Sequence, residues 1–105
     1  MRTALHSVLR EGREADYDKE HAEIWPEMAR TLRDAGIAEW QIWRSGGNLF
    51  HVVEADDFDA AMEYLRTDPV NQRWQNHIHE IVDHFEPGVG DGHALPLVWK
   101  LSVQA

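Results

Sequence analysis

The chain contains no cysteine. Disulfides, thiolate nucleophiles and cysteine-ligated zinc are therefore excluded, and nothing points to an oxidising compartment. Positive charge is also scarce, with 10 Lys and Arg against 19 Asp and Glu and a formal net charge of −9. Nucleic acid and anionic membranes are not expected partners, since phosphate binding needs clustered cations, whereas a neutral small ligand is compatible with such acidity. No apolar run approaches the roughly 20 residues of a membrane span. The opening "MRTALHSVLREGRE" is too short in its apolar part, and too acidic afterwards, for a signal peptide. A cytoplasmic location is the expectation. Repeats and low-complexity segments are absent, and the Gly-rich "EPGVGDGHA" lacks phosphate-loop spacing. The 105 residues, 43% apolar and 28% charged, suit one globular domain with a modest core.

What is present has a clear order. Residues 2–9, "RTALHSVL", read as a strand with Leu5, Ser7 and Leu9 on one face. After "REGRE" comes a helix on which Tyr17, His21, Ile24, Trp25, Met28 and Leu32 form one inward stripe. Pro26 forces a kink or restart near Trp25, and Gly36 ends the segment. Residues 37–44 and 49–55 are strands joined by the hairpin turn "SGGN". "DDFDAAMEYLRT" gives a helix with Phe58, Met62 and Leu65 inward. Asp68-Pro69 opens another, expected to run through Phe85 with Val70, Trp74, Ile78, Ile81 and Phe85 inward. "LPLVWKLS", 95–102, reads as the last strand, with Leu95, Leu97, Trp99 and Leu101 on one face. The order β-α-β-β-α-β predicts an α+β, ferredoxin-like fold with helices on one face of a four-stranded antiparallel sheet. The other face keeps large apolar residues, so a homodimer with two sheets face to face is expected.

Chemistry-bearing residues cluster on the inward faces. Tyr17 and His21 are four apart and neighbours on one helix face. They are either satisfied core residues or the polar groups of a pocket. Five tryptophans are many for this length. Aromatic faces pack against the C–H faces of sugars, but they also build cores, and Trp25 and Trp74 suit either use. Trp40 and Trp43 should point to opposite faces of their strand. "NHIHEIVDH", 76–84, invites a metal reading, yet on a helix His77 and His79 diverge and only His77 and His84 share a side. No metal is expected. His79 should be solvated, His77 could border a pocket, and Glu80 with His84 would be a surface pair.

"YDKEHAEIWPEM", followed by "AEWQIW", "NLFHVVE" and "TDPVNQRWQ", resembles the L-rhamnose mutarotase family, with its Tyr-x-x-x-His-x-x-x-Trp-Pro-Glu motif, aromatic hairpin and Gln-Arg-Trp segment. The resemblance covers roughly residues 2–101 in matching order. It implies a dimeric α+β barrel that interconverts the α and β anomers of a 6-deoxy-L-hexose, L-rhamnose first and L-fucose close behind. It also implies His21 as proton donor, with Tyr17 and Trp74 contacting the sugar. Two positions depart from the family: its sugar-contacting Tyr on the second strand is Trp40 here, and the second of its paired tryptophans is Gln75. Both remain candidate substrate contacts, and both bear on which sugar is preferred.

Mutarotation needs one or two groups that exchange protons near neutrality, and His suits that task. No cofactor, metal or covalent nucleophile is required. Two other readings share features of this sequence: a small monooxygenase or haem-degrading enzyme on the same barrel, and a non-catalytic sugar-binding module.

Overall fold

The computed structural model describes residues 1–86 and 94–103. Most of the expected Gly-rich loop, residues 87–93, lies outside them. The element order is β1 (Arg2–Leu9), α1 (Glu14–Ala22), α2 (Pro26–Asp34), β2 (Ile37–Ser45), β3 (Asn48–Ala55), α3 (Phe58–Arg66), α4 (Pro69–Ile78) and β4 (Val82–Phe85), with a short 3-10 turn at Leu101–Val103. The four strands form one antiparallel sheet in the order β2-β3-β1-β4, the ferredoxin-like arrangement.

Local chemistry accounts for most boundaries. Helices α1 and α2 are separated by a true break: Glu23 is extended, with φ −155° and ψ 114°, and α2 restarts with Pro26 in its first turn. Gly36, at φ 98°, supplies the left-handed residue that releases the chain from α2 into β2. Gly46, at φ 57°, begins the two-residue turn between the paired residues Ser45 and Asn48. Asp57 caps α3 by accepting from the Ala60 amide at 3.0 Å, and Asp68 caps α4 by accepting from Asn71 at 2.9 Å.

The C-terminal third differs from expectation. Helix α4 stops at Ile78 instead of running to Phe85. Its end is closed by side chains from the β1–α1 connection: Arg10 Nε donates to the His79 carbonyl at 3.0 Å, and Arg13 Nη1 to the Glu80 carbonyl at 2.9 Å. With those carbonyls satisfied, the chain turns, and 82–85 becomes the fourth strand beside β1. Residues 95–102 are not that strand. Leu95 donates its amide to the Ala4 carbonyl at 2.8 Å, continuing along the β1 edge, but 94–100 has no regular structure. The end of α4 also dissolves two helical relations expected for the histidines, because His84 lies on β4 and neither shares a helix side with His77 nor pairs with Glu80 at i,i+4.

The helix-covered face carries two apolar clusters. Leu9, Tyr17, Met28, Leu49, Trp74, Ile78 and Ile81 form one. Leu5, Ile37, Val53, Ala55, Ala61 and Leu65 form the other. Along β1 and β3 they are separated by one residue each, Ser7 between Leu5 and Leu9, and His51 between Leu49 and Val53. The seam between two cores is thus polar.

The Asp68 cap gives a direct check on α4. Asp68→Ala should lower stability by about 1 kcal/mol, read as a reduced urea midpoint with unchanged slope.

Candidate functional site

Between the sheet and the helices lies an open cavity of about 1140 Å³, and Tyr17, His21, Trp40, Trp74 and Gln75 all line it. The structure therefore brings together all five candidate residues, drawn from α1, β2 and α4. Other polar and charged residues also line it, among them Asp59, Glu63, Arg66 and Asp83, and deepest in the sheet are two that were not site candidates, Ser7 and His51. The signal for them was available: both are polar residues at the inward positions of alternating strands, where Leu5, Leu9, Leu49 and Val53 are apolar. His77 does not line the cavity. It packs against Trp25 and Trp74 and donates to Glu20 at 2.9 Å from outside. His79, exposed at the end of α4, and His84 on β4 do line the cavity.

The aromatic wall is built by the helix break. Tyr17 is buried and stacks on His21, with ring centroids 4.1 Å apart and planes 22° from parallel. His21 and Trp74 meet edge to face with centroids 5.5 Å apart, and Trp74 and Trp25 do the same at 5.0 Å. Trp25 reaches that contact because it sits at the start of α2, after the chain has turned at Glu23. A bidentate ion pair from Arg44 on β2 to Asp18, at 2.8 and 2.7 Å, ties α1 to the sheet. Trp74 serves two purposes at once, since it is buried in the larger apolar cluster and also lines the cavity.

His21 Nδ1 is buried and has no hydrogen-bond partner among the described residues. Burial pushes the His21 imidazole below its ordinary pKa of 6.5, although the Tyr17 backbone and the Glu20 and Asp18 carboxylates pull the other way. The ring is therefore neutral at pH 7, and Nδ1, which has no accessible surface, faces the protein and the Tyr17 backbone, not the cavity. Burial, with a smaller push from Asp18, raises the Tyr17 phenol and keeps it protonated.

On the sheet side, Trp40 Nε1 donates to His51 Nδ1 at 3.1 Å, and His51 Nε2 lies 2.9 Å from Ser7 Oγ. His51 is 4% exposed and Ser7 1%. The His51 pKa is lowered to about 4, first by burial and then by His21 and His6. At the α4 end, Gln75 donates to Asn71 Oδ1 at 3.2 Å, and Asn71 is itself anchored to the Leu65 carbonyl at 2.9 Å. Among the described residues no group of three or more His, Cys, Asp or Glu could hold a metal ion, and no helix is long and apolar enough to cross a membrane.

Residues 2–101 match the family model described as L-rhamnose mutarotase. The L-rhamnose mutarotase of Burkholderia ambifaria is 36% identical over 81 residues, covering 75% of this chain and 77% of that one. That of Leptothrix cholodnii is 31% identical over 100 residues, covering 93% of each. Among solved structures, the L-rhamnose mutarotase FA22100 of Formosa agariphila superposes with a TM-score of 0.75 at 20% identity, over 96% of this chain and 98% of that one. At that identity the superposition speaks for the fold alone.

The buried neutral His51 makes stability depend on pH. Its folded pKa lies below its unfolded value, so the unfolded chain binds the extra proton between pH 6.5 and about 4, and stability falls with acid across that window. Between pH 7 and pH 5 this one group should cost about 2 kcal/mol, since each tenfold preference of the proton for the unfolded chain is worth about 1.36 kcal/mol. Urea melts at the two pH values should show that fall, and His51→Gln should flatten it by a similar amount.

Proposed function

This chain belongs to the L-rhamnose mutarotase family, and we propose that it interconverts the α and β anomers of L-rhamnose, with His21 exchanging the protons. The chain is an isomerase of the cofactor-independent mutarotase kind. The observation that carries the residue assignment is the place of His21 on the cavity wall, stacked on the Tyr17 ring and set near-perpendicular to Trp74 in a cavity of sugar-binding character.

In the proposed reaction the anomeric hydroxyl loses its proton, the ring oxygen gains one, and the C1–O5 bond breaks to give the open-chain aldehyde. Rotation about C1–C2 then presents the other carbonyl face, and the reverse steps close the ring. The net change is one of configuration at C1 only. Because burial holds His21 neutral, the imidazole starts as base toward the anomeric hydroxyl, and the imidazolium so formed is the acid for the ring oxygen. This order refines the proton-donor role implied by the resemblance: the donor is generated within the cycle. Tyr17, Trp74, Trp40 and Gln75 are proposed substrate contacts. Asn71 holds the Gln75 amide by its nitrogen, which leaves the carbonyl oxygen to accept from a sugar hydroxyl. L-Fucose differs from L-rhamnose in hydroxyl orientation and is the second sugar to test against this hydrogen-bonding wall.

The protein is further proposed to act as a homodimer. The sheet face away from the helices exposes Trp43 (54%) and Phe50 (42%), and residues 94–101 expose Leu97 (78%) and Trp99 (61%). Such a surface fits a second copy better than water. Sedimentation at micromolar concentration should give twice the 12.2 kDa chain mass, and a single-chain mass would overturn the dimer.

Saturation-transfer NMR on the L-rhamnose anomeric protons tests the activity. His21→Ala should slow protein-dependent exchange by about 10²–10⁴-fold with the fold intact. The wild-type rate should be flat near neutrality and fall as pH drops through the His21 pKa, which lies below 6.5. A rate that falls instead as pH rises through that pKa would assign the starting form to imidazolium. Exchange at the buffer rate for wild type would remove the mutarotase reading.

A further inference from the structure

The polar seam across the sheet has a direction. Trp40 on β2, His51 on β3 and Ser7 on β1 are diagonal cross-strand neighbours, since Ile42 and Leu5 stand opposite His51, and Leu49 opposite Ser7. An indole N–H can only donate. With Trp40 Nε1 at 3.1 Å, His51 Nδ1 must accept, so the imidazole carries its single proton on Nε2. Nε2–H then donates to Ser7 Oγ at 2.9 Å. The serine oxygen is thereby used as acceptor, and its own proton has no acceptor among the described residues. Ser7 lines the same cavity as His21, Tyr17 and Trp74.

The geometry points to a one-way hydrogen-bond chain, Trp40 to His51 to Ser7, that aims the Ser7 hydroxyl proton at an oxygen of the bound sugar. Ser7 is then a substrate-contacting donor, and His51 and Trp40 are positioning residues that act through it. The inference rests on the sugar-site reading above and adds to it a contact from the sheet opposite the His21 wall. It also changes the part played by Trp40: its N–H is spent inside the protein, so only its ring faces the cavity. The same chain excludes a serine–histidine nucleophilic dyad, because a ring nitrogen that already bears hydrogen toward Ser7 cannot take the serine proton. The low basicity of His51 accords with this role, as a second ring proton would oppose the Trp40 N–H.

Three measurements test the chain. Long-range ¹H–¹⁵N spectra of the wild-type imidazoles should show His51 as the Nε2-protonated tautomer, and Trp40→Phe should allow the proton onto either nitrogen. Ser7→Ala and Trp40→Phe should each lower kcat/KM for L-rhamnose exchange by about two- to tenfold, the worth of one neutral hydrogen bond. The double variant should lose little more than the worse single one, since both interrupt one chain. A wild-type His51 protonated on Nδ1, wild-type exchange rates in Ser7→Ala, or losses that multiply in the double variant would each overturn the proposal. Ser7→Ala removes only the oxygen and the tautomer is read without any variant, so a poorly folding Trp40→Phe does not rescue the idea. If the wild-type protein itself leaves L-rhamnose anomers at the buffer rate, the mutarotase reading falls and the sugar contact with it. Exchange by wild type that Ser7→Ala leaves untouched sinks the donor alone.

Discussion

A buried imidazole that must stay neutral is the constraint around which the sheet is arranged. His51 sits between Leu49 and Val53 on the face that the helices cover, where an unpaired polar group costs about 1–3 kcal/mol and a charge far more. It is tolerated because both ring nitrogens are partnered, one from β2 and one from β1. Those partners fix the register of three strands as firmly as the apolar residues do: a one-residue slip would turn His51 outward and leave Ser7 and the Trp40 indole facing each other across an apolar gap. The two apolar clusters stand on either side of this seam. A cavity with polar groups at its floor follows directly, because the cores close at both ends and not in the middle.

The helix layer solves the complementary problem of presenting His21. Helix α1 has little amphipathic character of its own, and of its residues only Tyr17 is buried. It is held by that ring, by the Arg44–Asp18 pair and by the break that follows it. Because the chain leaves α1 at Glu23 in an extended conformation, α2 can approach from a different direction and set Trp25 against Trp74. Trp74 in turn limits the space beside His21. An unbroken helix would keep Tyr17 and His21 but would move Trp25 off the Trp74 edge. The proline matters less as a helix breaker than as the first residue of a new helix whose direction closes the aromatic wall.

Much of this was legible in the sequence, and the reasons differ by element. β1, the α1–α2 break, the hairpin and α3 follow from local signals: alternation, Pro26, Gly36, the Gly46-Gly47 turn and Asp57. The five candidate site residues were brought together because inward periodicity and the family resemblance agree on Tyr17, His21 and Trp74. The end of α4 was not legible. It is decided by Arg10 and Arg13, more than 60 residues away in sequence, which satisfy the His79 and Glu80 carbonyls. The alternation of Leu95, Leu97, Trp99 and Leu101 looked like a strand, but residues 94–100 adopt no regular structure, and Leu97, Trp99 and Leu101 are exposed. Ser7 and His51 were passed over because their neighbours are apolar, and such a stripe is easily read as all core. The polar member of an inward alternation is the informative one.

Around the aromatic wall of the cavity very few groups can change charge. Where Tyr17, His21, Trp40, His51 and Trp74 meet, the phenol is held protonated by burial, and His51 is held neutral by burial and by the Trp40 N–H. The tryptophans, Ser7, Asn71 and Gln75 do not titrate in this range. His21 is left as the group in that wall able to take and return a proton near neutrality, even though burial lowers its pKa. For a neutral sugar this arrangement has a physical advantage. A proton taken from the anomeric hydroxyl leaves an anion beside an imidazolium, in a setting of low dielectric where opposite charges attract strongly. Fixed donors of the kind proposed for Ser7 reach that anion without adding charge. Beside His21 the acidic groups are held in ion pairs, Asp18 by Arg44 and Glu20 by His77, while Asp59, Glu63 and Asp83 line the cavity on other elements. A strongly acidic protein can therefore keep an uncharged wall beside its working histidine, provided that this histidine is neutral before the sugar arrives.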